Sequence, residues 1–224
     1  MDFKDRYGPW ALITGASEGT GREFARQIAA KGVPCVLVAR REGPLKDLAA
    51  EIKAESGVEC VTATVDLAAP DAGERLIAAA GGREIGLFVA NAGADPNGSN
   101  FLDRDVGAWR DLTQRNVLNV LEACHHFGGL MRGRGRGGLL IVGSGACYGG
   151  ASHLATYSAT KAFQLCLAEG LWAELRPFGR VCRAPGGTRW RQLMGRPCCF
   201  GRHRARSFRT HLLVHPIDPS PQEF

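Results

Sequence analysis

Short apolar runs alternate with longer amphipathic stretches from Trp10 to about Val181. The runs are Trp10–Ile13, Cys35–Ala39, Val58–Val65, Ile85–Ala90 and Leu139–Gly143, each rich in Val, Leu or Ile and bounded by Gly, Pro or Asn. Near-continuous apolarity over so few residues predicts strands buried on both faces of a parallel sheet. Between them, Arg22–Lys31 and Leu45–Glu55 have helical spacing; in the second, Leu45, Leu48, Ala49 and Ile52 share one face. Two longer helices are predicted over Val106–Phe127 and Leu154–Leu175, the second stopped by Arg176-Pro177. Gly128–Gly138 reads as a Gly/Arg-rich surface connection. This alternation predicts a doubly wound α/β domain, with helices on both faces of the sheet and right-handed crossovers.

The pattern ends near Thr188, which divides the chain into a domain over 1–188 and an Arg/Pro-rich tail over 189–224. Within the tail, Thr210–His215 is the one candidate strand, and Pro216–Phe224 is expected to be disordered. From Arg180 to Phe224 there are nine Arg, no Lys and two acids, so the net charge of +6 belongs to the C-terminal end. The fold itself is close to neutral. A nucleic-acid partner is therefore not expected, since the basic end carries no recognition motif. None of the eight Cys forms a C-x-x-C pair, and His125-His126 has no acid or Cys to complete a metal site. No apolar run approaches the ~18 residues of a membrane span, and Met1–Arg6 is charged, so a cytoplasmic protein with reduced thiols is expected.

Candidate chemistry begins directly after the first strand. Thr14-Gly15-Ala16-Ser17-Glu18-Gly19-Thr20-Gly21 opens the first helix. Glycines there permit a tight turn and let a pyrophosphate approach the backbone, while the helix N-terminus offers free N–H groups. After the second strand come Arg40 and Arg41, where an acid would hold a ribose 2′-hydroxyl. Two guanidiniums favour a 2′-phosphate, hence NADP(H), with NAD(H) second. Surface arginines solvating a helix start are the plainer reading of the same pair.

The T-G-x-x-x-G-x-G spacing resembles the short-chain dehydrogenase/reductase family, and the resemblance runs from about Trp10 to Thr188. It implies a Rossmann-type domain. Asp66, with Leu67 beside it, matches the residue that meets the adenine amino group, and Asn91-Ala92-Gly93 matches the motif that borders the cofactor and ties the sheet together.

Tyr157 and Lys161 stand four apart at the head of a helix, on one face. Alone, such a pair is common by chance. Ser144, thirteen residues upstream, and Asn116, in the preceding helix, complete the order of the family's Asn–Ser–Tyr–Lys tetrad. The resemblance implies that Tyr157 exchanges the proton and Ser144 binds the reacting oxygen. Lys161 would hold the nicotinamide ribose and lower the Tyr157 pKa, and Asn116 would anchor a water leading to Lys161. The implied activity is interconversion of a carbonyl and a secondary alcohol by an NADP(H)-dependent homodimer or homotetramer. Tyr7–Ala11 and Tyr157–Phe163 are similar to members acting on hydroxysteroids or 3-oxoacyl thioesters.

The C-terminal end departs from this pattern. Pro185, Gly186 and Thr188 match the loop that contacts the nicotinamide side, but Arg180-Val181-Cys182-Arg183-Ala184 places two Arg where a buried strand belongs. Beyond Thr188 the expectation is a frame-altered ending, with a genuine divergent tail as the alternative. The alternative reading is thus a cofactor-binding scaffold with a disrupted substrate lobe and impaired catalysis.

Overall fold

The computed structural model describes residues 2–175 and 212–213. All five apolar runs are strands: β1 (Trp10–Thr14), β2 (Cys35–Ala39), β3 (Cys60–Thr64), β4 (Ile85–Ala90) and β5 (Gly138–Val142). They are parallel, in the order β3-β2-β1-β4-β5. β6 (Leu212–Leu213) pairs antiparallel with β5, Val142 opposite Leu212, inside the Thr210–His215 run. The strand order reverses between β1 and β4, which opens a crevice at the carboxyl ends of those two strands.

Side-chain alternation along the strands builds two apolar layers. Ile13, Leu37, Val89 and Leu140 face α2 (Gly19–Ala29) and α3 (Glu42–Ser56), whose Phe24, Ile28, Leu45, Leu48 and Ile52 fill the gap. Leu12, Val36, Phe88 and Ile141 face the opposite layer, with Leu76 of α4 (Ala72–Ala78) and Phe127. The rings of Phe88 and Phe127 lie 5.3 Å apart. Each large side chain fully removed from water contributes on the order of 2 kcal/mol. β3, at the edge, is only partly buried and accommodates Thr62 and Thr64.

The single helix expected over Val106–Phe127 is three segments. α5 (Val106–Thr113) leads into a π turn, Gln114–Leu118, and then α6 (Asn119–Arg134). The Asn119 N–H reaches the Gln114 carbonyl, five residues back. α6 also runs through Gly128–Arg134, which the sequence assigned to a surface connection. Phe127, Gly128 and Met131 are buried, with α6 packed on β4 and β5, and this burial outweighs the low helix propensity of the glycines. The Arg134 guanidinium donates to the Ile85 carbonyl and anchors the end of α6. α1 (Phe3–Tyr7) and α4 are short helices with no sequence periodicity to announce them. α7 (Ala155–Leu175) follows the expected bounds.

The Arg180–Ala184 stretch, Pro185, Gly186, Thr188 and, apart from 212–213, the tail over 189–224 lie outside the described residues. Among the described residues no helix is long and apolar enough to cross a membrane.

Candidate active site

Thr14 ends β1 buried, and its hydroxyl joins the Gly-rich turn to β4. Oγ1 donates to the Val89 carbonyl at 3.2 Å and accepts from the N–H groups of Asn91 and Ala92 at 3.0 and 3.1 Å. Asn91 returns the contact, its Nδ2 donating to the carbonyls of Thr14 and Gly15 at 3.0 and 3.3 Å. The turn is closed on its inner side. A Cβ on Gly21 would stand 2.1 Å from the Gly15 oxygen, and Gly15 itself holds the left-handed φ of +66°. Gly19, by contrast, has nothing among the described residues within 4 Å of where its Cβ would be.

The turn borders a cleft of about 300 Å³ lined by Gly15, Ser17, Glu18, Thr20, Arg40, Arg41, Leu67, Asn91, Ala92 and Gly93, with Val65 and Arg115 among the rest. The structure thus brings together most of the cofactor residues expected from the sequence. Asp66 is exposed beside the cleft, its carboxylate accepting from the Ala68 N–H at 3.1 Å. Leu67 is buried, and its carbonyl receives Asn119 Nδ2. A glycine turn closed to side chains, a helix N-terminus and two exposed guanidiniums at the end of β2 fit a dinucleotide. Arg115, not expected from the sequence, adds a third cation at the wall. Burial, and then the charge of Arg40, push its guanidinium below the usual range. Its position is legible only once the π turn is known.

The tetrad positions converge at the β5 end of the crevice. Ser144 follows β5 and caps the short turn Gly145–Tyr148, its Oγ accepting from the Ala146 N–H at 3.2 Å. α7 packs against that turn. Tyr157 is half-buried on α7, and Lys161, one turn on, is 3% exposed with Nζ 5.8 Å from the Tyr157 ring centre. Nζ donates to the Val142 carbonyl and to Gln164 Oε1, both at 2.9 Å. Burial lowers the Lys161 pKa to about 8, against a smaller opposing pull from Cys147. Asn116 lies fully buried in the π turn, and its Nδ2 donates to Thr160 Oγ1 at 3.0 Å. Its Oδ1 is a buried acceptor without a hydrogen-bond partner among the described residues. Gln164 joins Lys161 to Asn116, its Nε2 donating to the Asn116 carbonyl at 2.7 Å. The sequence signal for Gln164 was available: an amide three residues beyond Lys161 shares its helix face.

His125 is exposed and His126 packs edge-on against Phe127 at 5.0 Å on α6.

A parallel sheet whose crevice joins a Gly-rich phosphate turn to a Ser, Tyr and Lys cluster defines a nucleotide-binding dehydrogenase architecture. The chain belongs to the short chain dehydrogenase family, whose profile matches residues 9–190. It is similar to a 7beta-hydroxysteroid dehydrogenase of Clostridium sardiniense, 31% identical over 171 residues, covering 76% of this chain and 65% of that one. It is also similar to a very-long-chain 3-oxoacyl-CoA reductase of Laccaria bicolor, 37% identical over 177 residues, covering 78% of this chain and 52% of the relative. Among solved structures, a short-chain dehydrogenase from Sphingobium yanoikuyae in complex with NADPH matches with a TM-score of 0.71 and 31% identity, over 76% of this chain and 67% of that one. The match therefore spans less than two thirds of the length of these two curated relatives.

Proposed function

We propose that the protein is an oxidoreductase that uses NADP(H) to interconvert a carbonyl and a secondary alcohol. The observation that carries the reading is the buried Lys161, one helical turn from Tyr157 and beside a cleft with two guanidiniums at its mouth. The nicotinamide, when bound, supplies or accepts the hydride. The remaining work falls to the chain. Tyr157 gives a proton to the reduced oxygen and takes one from the alcohol in the reverse direction. The Ser144 hydroxyl donates to the same oxygen and stabilises its growing charge. Lys161, when protonated, sets its positive charge 5.8 Å from the centre of the Tyr157 ring, beside the reacting oxygen.

Arg40 and Arg41, with no acid between them and the end of β2, support the choice of NADP(H), and the NADPH complex of a similar dehydrogenase supports it further. A hydroxysteroid or 3-oxoacyl thioester follows from the names of the relatives. Pairing of copies through the α5–α6 and α7 faces belongs to this reading. The exposed Val106, Leu118 and Leu121 offer apolar surface for it.

Titration with NADPH and NADH, followed by nicotinamide fluorescence, tests the cofactor. Loss of NADPH absorbance with a 7-oxosteroid or a 3-oxoacyl thioester tests the reaction. Micromolar NADPH binding, weaker NADH binding and turnover of either probe support the reading. Failure to bind either nucleotide overturns it, and tight NADPH binding with no turnover returns it to a scaffold.

A further inference from the structure

Gln164 is the most completely enclosed polar side chain of α7, with no exposed surface. An amide buried so deeply is costly unless both of its ends are bonded. Here both are. Oε1 accepts from Lys161 Nζ at 2.9 Å, and Nε2 donates to the main-chain carbonyl of Asn116 at 2.7 Å. The second bond crosses from α7 to the π turn, where Asn116 also holds Thr160 through its own amide.

We propose that Gln164 is a positioning residue that fastens the Lys161 ammonium to the π turn and so fixes its place beside Tyr157. The inference rests on the reading of Tyr157 and Lys161 as the acid–base pair. The Val142 carbonyl on β5 constrains Nζ from one side only; Gln164 Oε1 supplies the second acceptor. The two define where the charge sits. Among the described residues, the titratable groups facing Lys161 are Tyr157 on its own helix and Cys147 on the turn after β5. The loop after β4 presents Gly93 and the π turn presents Asn116, neither of which titrates. Gln164 is thus the neutral dipole through which the Lys161 charge is tuned.

The test needs neither substrate nor nucleotide. The chain has five lysines, so ¹³Cε-lysine NMR of the whole protein gives five titrating signals, and Lys161→Arg assigns the one that matters. Gln164→Met keeps the length of the side chain and removes both bonds. Its Lys161 midpoint is expected about one pH unit below that of the wild-type protein, because a dipole favouring the ammonium is gone. Gln164→Glu places a carboxylate on Nζ, and its midpoint is expected above the wild-type value. Unchanged midpoints in both variants, with wild-type circular dichroism, overturn the proposal. If Gln164→Met fails to fold, the glutamate variant decides alone, and an unmoved midpoint there overturns the proposal equally. With NADPH and an active carbonyl probe, Gln164→Met should lower kcat about tenfold and leave the KM for NADPH within about threefold. Shifted midpoints in a protein without turnover would sink the acid–base reading and leave the Gln164–Lys161 coupling standing.

Discussion

Arg41 reaches back across the cofactor cleft to Glu18, with Nη2 2.9 Å from Oε2. One partner opens α3 just after β2 and the other precedes α2, so the pair joins two segments of the cleft lining. Both side chains are largely exposed, at 60% and 77%, and such a pair contributes roughly 0–1 kcal/mol. A phosphate dianion can therefore displace Glu18 at small cost. Glu18→Gln is expected to raise NADPH affinity by roughly threefold, since it removes a competing anion. Arg41→Ala and Arg40→Ala are each expected to weaken NADPH about tenfold while moving NADH less than about twofold. Fluorescence titration reads all three. Equal losses for the two nucleotides would show that these arginines do not discriminate between them.

Tyr157→Phe removes the hydroxyl and leaves the ring that lies near Lys161. Because general acid–base catalysis is worth roughly 10² to 10⁴ in rate, turnover should fall by that order. NADPH affinity should stay within about threefold, as the ring and the cleft wall are unchanged. A Phe variant that retains most of its turnover would remove Tyr157 from the chemistry. Ser144→Ala should cost less, about 10²-fold, and its Oγ bond to the Ala146 N–H should be missed only locally.

The strands and the Gly-rich turn were legible because each follows from a strong local rule. Leu12, Ile13, Val36 and Leu37 are apolar without alternation, as burial on both sheet faces requires, and all four are fully buried. The π turn was not legible. Its reason is tertiary: Asn116 must face Gly93 and Thr160, and Asn119 must reach the Leu67 carbonyl, and no property of Gln114–Leu118 alone encodes those partners. For the same reason Arg115 came to the cleft wall unannounced. The helical run through Gly128–Arg134 failed on propensity, which packing against β4 and β5 overrode. Ser144, Tyr157 and Lys161 were expected from their order along the chain and its resemblance to a family motif; Gln164 shares the helix face of Lys161, but its bond to the Asn116 carbonyl on another element has no local signal.

Burial of Lys161 has a measurable consequence for stability. Its pKa falls from 10.5 to about 8 on folding, so between those values the unfolded chain holds a proton that the native chain has released. Stability therefore gains from this group as pH rises through that window, by up to about 1.4 kcal/mol per unit. Cys124 works in the opposite sense. Burial raises its thiol to about 12, so above pH 9 the unfolded chain loses a proton that the native chain keeps, and stability falls. Subtraction separates the two. The urea midpoint of Lys161→Met should decline more steeply between pH 8 and 10 than that of the wild-type protein. Parallel pH profiles would mean that Lys161 is solvated in the native state.

Thr14 links the fold to the cofactor turn through one hydroxyl, so it separates the effect of the hydroxyl from that of side-chain shape. Valine has nearly the same volume, yet Thr14→Val takes the acceptor from the Ala92 N–H and a donor from the Val89 carbonyl. Asn91 N–H keeps the Val89 carbonyl at 3.1 Å, so the loss concentrates on Ala92. A buried group left unpaired costs about 1–3 kcal/mol, and because Ala92 is only partly buried at the cleft wall the urea midpoint of Thr14→Val should fall by the lower end of that range. Thr14→Ser retains the hydroxyl and loses only a methyl, at about 1 kcal/mol. NADPH affinity provides the sharper reading. Asn91 Nδ2 grips the carbonyls of Thr14 and Gly15, so slackening the hydroxyl bonds should loosen the turn that carries the phosphate-facing backbone. Thr14→Val is therefore expected to weaken NADPH about tenfold at a temperature where it remains folded, and Thr14→Ser to bind as the wild-type protein does. Equal binding by all three would confine Thr14 to stability and detach the sheet from the geometry of the cleft.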